Sequence, residues 1–135
     1  QTRMKGMDVF GFGISTAPKT VKKLAEHYAF DYLDNDYFIF HQANMKMNNM
    51  IVKKLKLPVE KVPSCMYHFG NTSSASIPMT IVTQLKGKIE EKPTKFLCCG
   101  FGVGLSWGTV RFETENLIIS DLVEVEDNKE ETQWV

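Results

Sequence analysis

His41 and Asn71 are the side chains whose surroundings best suit them to chemistry. His41 directly follows the apolar run Tyr37-Phe38-Ile39-Phe40 and precedes a helical pattern. An imidazole so placed can be partly buried and oriented, with one fixed hydrogen bond to give. A histidine packed on a sheet at a helix start would look the same. Asn71 follows Gly70 and precedes Thr72-Ser73-Ser74, which is also ordinary turn and N-cap chemistry. His68 is nearby, but in an extended segment it would point to the opposite face. His41 is therefore the stronger candidate.

Two further groups invite chemistry. Gly100-Phe101-Gly102-Val103-Gly104 has the look of a dinucleotide fingerprint, but Leu105-Ser106-Trp107-Gly108 follows it as a strand. A phosphate cradle needs a helix N-terminus, so that use is rejected. Close backbone approach, with amides donated to an oxyanion, fits better. Cys65, Cys98 and Cys99 are odd in number, and two are adjacent in an apolar run. They form neither a disulfide framework nor a paired zinc motif. They read as small core residues in a reducing compartment.

The elements that must position these groups follow from periodicity. Pro18 to Ala29 carries apolar residues at helical spacing. Asp8 to Ile14 alternates like a strand, yet Gly11 and Gly13 weaken it either way. Tyr37–Phe40 reads as a strand, Ala43 to Leu55 as a helix, and Val62 to Tyr67 as a second strand. Ser74 to Lys86 reads as a helix. Lys95 to Cys99, Leu105 to Phe112 and Leu117 to Val125 read as three more strands. Alternating strands and helices imply an α/β fold with a partly parallel sheet. Sites in such sheets lie beyond the carboxyl ends of strands. The clusters at 41–44, 68–72 and 100–104 should then converge on one rim.

Composition narrows the function. The chain has 135 residues, enough for about one domain, and 43% of them are apolar. Sixteen basic residues balance sixteen acidic ones, which argues against a generic nucleic-acid binder. No apolar stretch approaches the roughly 20 residues that cross a bilayer. No hydrophobic signal core opens the chain. A cytoplasmic protein with neither a nucleic-acid nor a membrane partner is expected. Gln1 in place of a methionine, with no opening strand before Met7, suggests a piece of a longer protein.

Together, His41-Gln42-Ala43-Asn44, His68-Phe69-Gly70-Asn71-Thr72-Ser73 and Gly100-Phe101-Gly102-Val103-Gly104-Leu105-Ser106-Trp107-Gly108 resemble β-ketoacyl-ACP synthase III in order, spacing and context. Met4-Lys5-Gly6-Met7-Asp8-Val9-Phe10 resembles that family's approach to its second half. The resemblance runs to about Phe112. It implies a thiolase-like half-domain with a mixed five-stranded sheet and helices packed on it. Residues 1–120 would be the C-terminal domain, and 121–135 an extension with a partly disordered acidic tail. It also implies that Asp8 to Ile14 begins a kinked helix.

The resemblance further implies acyl transfer from coenzyme A to a cysteine, then decarboxylative condensation with a malonyl thioester on acyl carrier protein. His41 and Asn71 would hold the malonyl thioester oxygen as it becomes an enolate. The backbone at Val103 would serve the acyl-cysteine's oxyanion. Asn44, Phe101 and Gly6 would contact substrate, and Lys46 and Lys53 would dock the acidic carrier protein. No metal or cofactor beyond the thioester substrates is implied. The nucleophile would lie on the other half, so this chain alone would not turn over. An asparagine at 71 cannot act as a general base, which favours decarboxylation.

The expected partners are the N-terminal half, the carrier protein, a coenzyme A thioester and a second copy in a homodimer. Two alternatives stand beside this reading. One is a secondary-metabolite relative with a different starter acyl group. The other is a non-catalytic half-domain that binds something else.

Overall fold

In a computed structural model, residues 5–125 apart from Val103 are described. The element order is α1 (Gly6–His27), β1 (Tyr37–Phe40), α2 (Met45–Leu55), α3 (Met66–Phe69), α4 (Ser76–Leu85), β2 (Thr94–Gly102) and β3 (Ser106–Thr114). The sheet runs β1-β2-β3. β1 pairs with β2 in parallel, and β2 pairs with β3 antiparallel. The sheet is therefore mixed, as expected.

Side-chain alternation builds two cores, one on each face of the sheet. Phe38, Phe40, Leu97, Cys99 and Phe101 face α1 and α2, meeting Ala17, Val21, Met47, Ile51 and Leu55. Ile39, Phe96 and Cys98 face the other way, toward Leu85, Ile89 and Ile119. The result is a helix–sheet–helix layering in which β1 is buried on both faces.

The described residues hold three strands, which corrects the expected five. Val62 to Tyr67 is not a strand. A 3-10 turn ends with the Val62 amide on the Val59 carbonyl, and Pro63 has no amide to give to a ladder. Met66 then starts α3. Leu117 to Val125 is not a strand either. Its apolar residues find a packing surface instead: Ile119 is buried in the second core with Leu117 against it. Lys86 holds Asp121 beside it in an ion pair. The glycine cluster also differs from a loop after a strand. Gly100, Phe101 and Gly102 are the end of β2 itself, paired with Gly108, Trp107 and Ser106 across a hairpin. The acidic run from Glu124 to Glu131 lies mostly outside the described residues, and residues 121–125 have no regular structure.

Residues 6–27 form one 22-residue helix with Pro18 inside it. Proline lacks the amide that would bond the carbonyl four residues back. That carbonyl belongs to Ile14, and it accepts from Lys54 Nζ at 2.9 Å. A residue on α2 thus satisfies the group that Pro18 orphans on α1. Replacing Lys54 with methionine is expected to cost about 0.5–1 kcal/mol, the net worth of one hydrogen bond. Adding Pro18→Ala should recover that loss, because the new amide can bond Ile14. Urea unfolding of the single and double variants checks this. Equal costs with and without Pro18 would contradict it.

Candidate active site

His41 is set by the sheet. Its amide donates to the Cys99 carbonyl at 2.9 Å, one rung beyond the β1–β2 register that ends at Phe40 and Cys99. The half-buried ring lies edge-on to Phe101, with centroids 5.5 Å apart at 86°. Nδ1 sits 2.7 Å from Ser76 Oγ, in the first turn of α4. Burial lowers the His41 pKa below the usual histidine value, and a backbone hydrogen bond with Ser73 opposes that shift. The ring is therefore neutral at neutral pH.

Asn71 is set by a turn. Gly70 ends α3 at φ 63° and ψ −146°, a combination essentially confined to glycine. The Asn71 Oδ1 accepts from the Ser73 amide at 2.9 Å, a local turn bond. With the oxygen engaged, the amide's Nδ2 is the end left to donate.

His41, Asn71 and Phe101 line one open cavity of about 680 Å³, with Ser73, Ser76 and Trp107 among the other walls. None of the described lining side chains is a carboxylate, a lysine or an arginine. What the cavity offers is neutral donors: an imidazole, an amide and several hydroxyls. Such groups can stabilise a developing oxyanion without taking up a proton.

The remaining expected residues lie elsewhere or have other uses. Asn44 caps α2, its side chain accepting from the Met47 amide at 2.9 Å. Gly6 opens α1 and is exposed. Neither lines the His41 cavity. Val103 lies outside the described residues. Lys46 and Lys53 are exposed on α2, seven residues apart and hence on one face. The Lys46 ammonium lies 6.0 Å above the Phe10 ring.

Three residues had no expected role. Gln42 is fully buried, donates to the Phe40 carbonyl at 2.7 Å and accepts from Ser64 Oγ at 2.7 Å. It ties the end of β1 to the segment that leads into α3. Its place beside His41 was the only signal for it. Ser76 falls inside the stretch read as a helix from Ser74, and nothing local in the sequence aims it at His41. Gly13 allows close approach: a Cβ there would lie 2.6 Å from Met47 Sδ and 3.0 Å from Phe101 Cε2. A side chain at 13 would displace the ring that His41 leans on.

All three cysteines are buried and unpaired. Burial, with the neighbouring Cys99 adding to it, pushes the Cys98 thiol up to about 12. Burial also raises Cys99, against hydrogen bonds from Thr109 and Thr20. Nucleophilic cysteines need the opposite shift. No group of three or more histidine, cysteine or carboxylate side chains that could hold a metal ion occurs among the described residues. None of the described helices is long and apolar enough to cross a membrane.

Comparison with known proteins bears on the whole arrangement. The family described as "3-Oxoacyl-[acyl-carrier-protein (ACP)] synthase III C terminal" matches residues 26–114. The beta-ketoacyl-[acyl-carrier-protein] synthase III of Acaryochloris marina is 38% identical over 111 residues, covering 82% of this chain and 33% of that protein. The synthase III of Streptococcus gordonii is 39% identical over 110 residues, covering 79% and 34%. The crystal structure of the 3-oxoacyl-(acyl-carrier protein) synthase from Burkholderia xenovorans superposes with a TM-score of 0.84 at 38% identity. That match covers 90% of this chain and 35% of the other. The chain spans about a third of the length of the curated relatives it matches.

His41 supplies a test of its environment. Its folded pKa is lowered, so between that value and about 6.5 the unfolded chain binds more protons than the folded one. Stability therefore rises with pH across this window. The contribution is whole above about 6.5 and is lost as pH falls through the folded value. Urea midpoints measured between pH 7.5 and pH 5 should fall more steeply for the wild-type chain than for His41→Gln. Parallel slopes would contradict a buried, neutral His41.

Proposed function

This chain belongs to the 3-oxoacyl-[acyl-carrier-protein] synthase III family as a thiolase-like C-terminal domain, and from that premise we propose that His41 and Asn71 stabilise the enolate of a malonyl thioester. The observation that carries this reading is their meeting in one cavity whose described walls hold no charged side chain. Loss of carbon dioxide from a malonyl thioester leaves its electron pair as an enolate, with charge on the thioester oxygen. Fixed donors at that oxygen bind the transition state more tightly than the ground state. The His41 ring, neutral through burial, and the Asn71 amide suit that task. No base is needed, because no proton is removed.

The parent enzyme then works in two steps. An acyl group passes from a coenzyme A thioester to a cysteine on the upstream half, releasing the free thiol of coenzyme A. The enolate carbon attacks that acyl-cysteine and expels the thiolate, giving a 3-oxoacyl chain on acyl carrier protein. We place the nucleophile upstream because Cys65, Cys98 and Cys99 are all buried, and burial raises the Cys98 and Cys99 thiols further from reactivity. The backbone at Val103 would donate to the second oxyanion. Phe101 would wall the acyl site, and Asn44 and Gly6 would contact the pantetheine arm and substrate. Metals and other cofactors have no part in this scheme, which runs in the cytoplasm. We set the end of the domain near residue 120, where Ile119 is still buried. The exposed Tyr28, Trp107 and Val110 suit packing on the upstream half or on a second copy.

In an enzyme joined from both halves, His41→Ala or Asn71→Ala should each slow condensation about 10²–10³-fold, the usual cost of one oxyanion donor. A loss below tenfold would contradict the assignment. The 135-residue chain alone should neither condense nor form a stable acyl-thioester with radiolabelled acetyl-CoA.

Docking gives a separate test. Lys46→Glu with Lys53→Glu should raise the KM for acyl carrier protein several-fold at low salt. The difference should fade as ionic strength rises. An unchanged KM at low salt would rule out these lysines as the docking surface.

A further inference from the structure

His41 has two ring nitrogens, and only a protonated one can donate to an oxygen. Which nitrogen is protonated is set by what faces the other. Nδ1 lies 2.7 Å from Ser76 Oγ. Ser76 is 1% exposed, and Nδ1 is the only hydrogen-bond partner its hydroxyl has among the described residues. The direction of this bond follows from what each choice leaves unsatisfied. If the hydroxyl accepted from Nδ1–H, its own proton would be buried without an acceptor, which costs about 1–3 kcal/mol. If it donates to Nδ1, only a spare lone pair goes unused, a far more common condition in folded proteins.

We propose that Ser76 is a positioning residue for His41: its hydroxyl donates to Nδ1 and so fixes the imidazole as the Nε2–H form, which can donate into the cavity. The inference deepens the donor role proposed above and rests on that role for its catalytic meaning.

A buried polar ladder holds Ser76 in place. Thr80 Oγ1 donates to the Ser76 carbonyl at 2.8 Å. Its proton is thereby used, so in the 3.2 Å contact with Cys65 Sγ the thiol is the donor. Cys65 stands at the N-terminal cap of α3, the short helix that ends at Gly70 and delivers Asn71. One chain of bonds therefore links the start of the Asn71 segment, the first turn of α4 and the His41 ring. This gives Cys65 and Thr80 a use that apolar packing alone would not require.

The test reads the imidazole directly and needs no substrate. Long-range ¹H–¹⁵N spectra of the ¹⁵N-labelled 135-residue chain at pH 7.5 report the protonated nitrogen of each histidine. His41→Gln identifies the His41 signals. Wild type should show His41 as Nε2–H, with Nδ1 at the position of a hydrogen-bonded acceptor nitrogen. In Ser76→Ala, Nδ1 should move to the unbonded position or take up the proton itself. The His41 titration midpoint should move up, because the neutral ring has lost a donor. Ser76→Thr should restore both signatures. If Ser76→Ala does not fold, Ser76→Cys serves, its weaker donor giving a smaller shift of the same sign. Nδ1–H in the wild type, or an unshifted Nδ1 in Ser76→Ala or Ser76→Cys, would overturn the proposal. A failure of the enolate role would leave these spectra unchanged, so the two claims fail separately.

Discussion

The rung from the His41 amide to the Cys99 carbonyl fixes where the cavity can form. β1 has four residues, and Phe38, Ile39 and Phe40 are fully buried. A slip of one residue against β2 would exchange the two cores. Phe38 and Phe40 would leave the α1–α2 side, and Ile39 would enter it. Burial on both faces therefore specifies the register, and the register sets His41 one residue past the strand. The same ladder carries β2 onward to Phe101, whose ring meets His41. Gly13 supports this from the helix layer, since it leaves room for Met47 and Phe101 together.

A second constraint is charge. The described cavity walls carry no ionised side chain, and burial keeps His41 neutral. A cationic imidazole would hold a malonyl carboxylate in the ground state, which opposes its departure. A neutral donor gains strength only as charge reaches the thioester oxygen. In the proposed scheme the arrangement would thus favour the transition state over the bound substrate. Asn71 meets the same requirement, because an amide does not ionise. Its oxygen is occupied by the Ser73 amide, which leaves the Nδ2 end to donate.

The meeting of His41, Asn71 and Phe101 in one cavity was legible in the sequence. His41 and Asn71 stood out because each sits where one element ends and a helical turn begins, and three such clusters implied a shared rim. The cysteines read as core residues, and they are buried and unpaired. The misread strands have a common cause: apolar alternation records which side chains seek cover and says nothing of backbone partners. Leu117 and Ile119 find cover against the second core without a ladder, and Pro63 prevents one at Val62. Gly11 and Gly13 obscured α1, because its buried stripe of Gly13, Ala17, Val21 and Ala25 is built for close approach rather than apolar bulk. Ser76 and Lys54 were invisible for a different reason. Each satisfies a group on a distant element, the His41 ring and the carbonyl freed by Pro18, and local spacing cannot reveal such a match.

In the proposed function, His41 and Asn71 act on the malonyl thioester and not on transfer of the acyl group to cysteine. Separating the two half-reactions in an enzyme joined from both halves tests this most directly. Acyl-cysteine formation and malonyl-thioester decarboxylation would be timed for the wild type, His41→Ala and Asn71→Ala. Acylation is expected within a few-fold of wild type, with decarboxylation slowed about 10²-fold or more in both variants. Acylation lost with decarboxylation intact would contradict it.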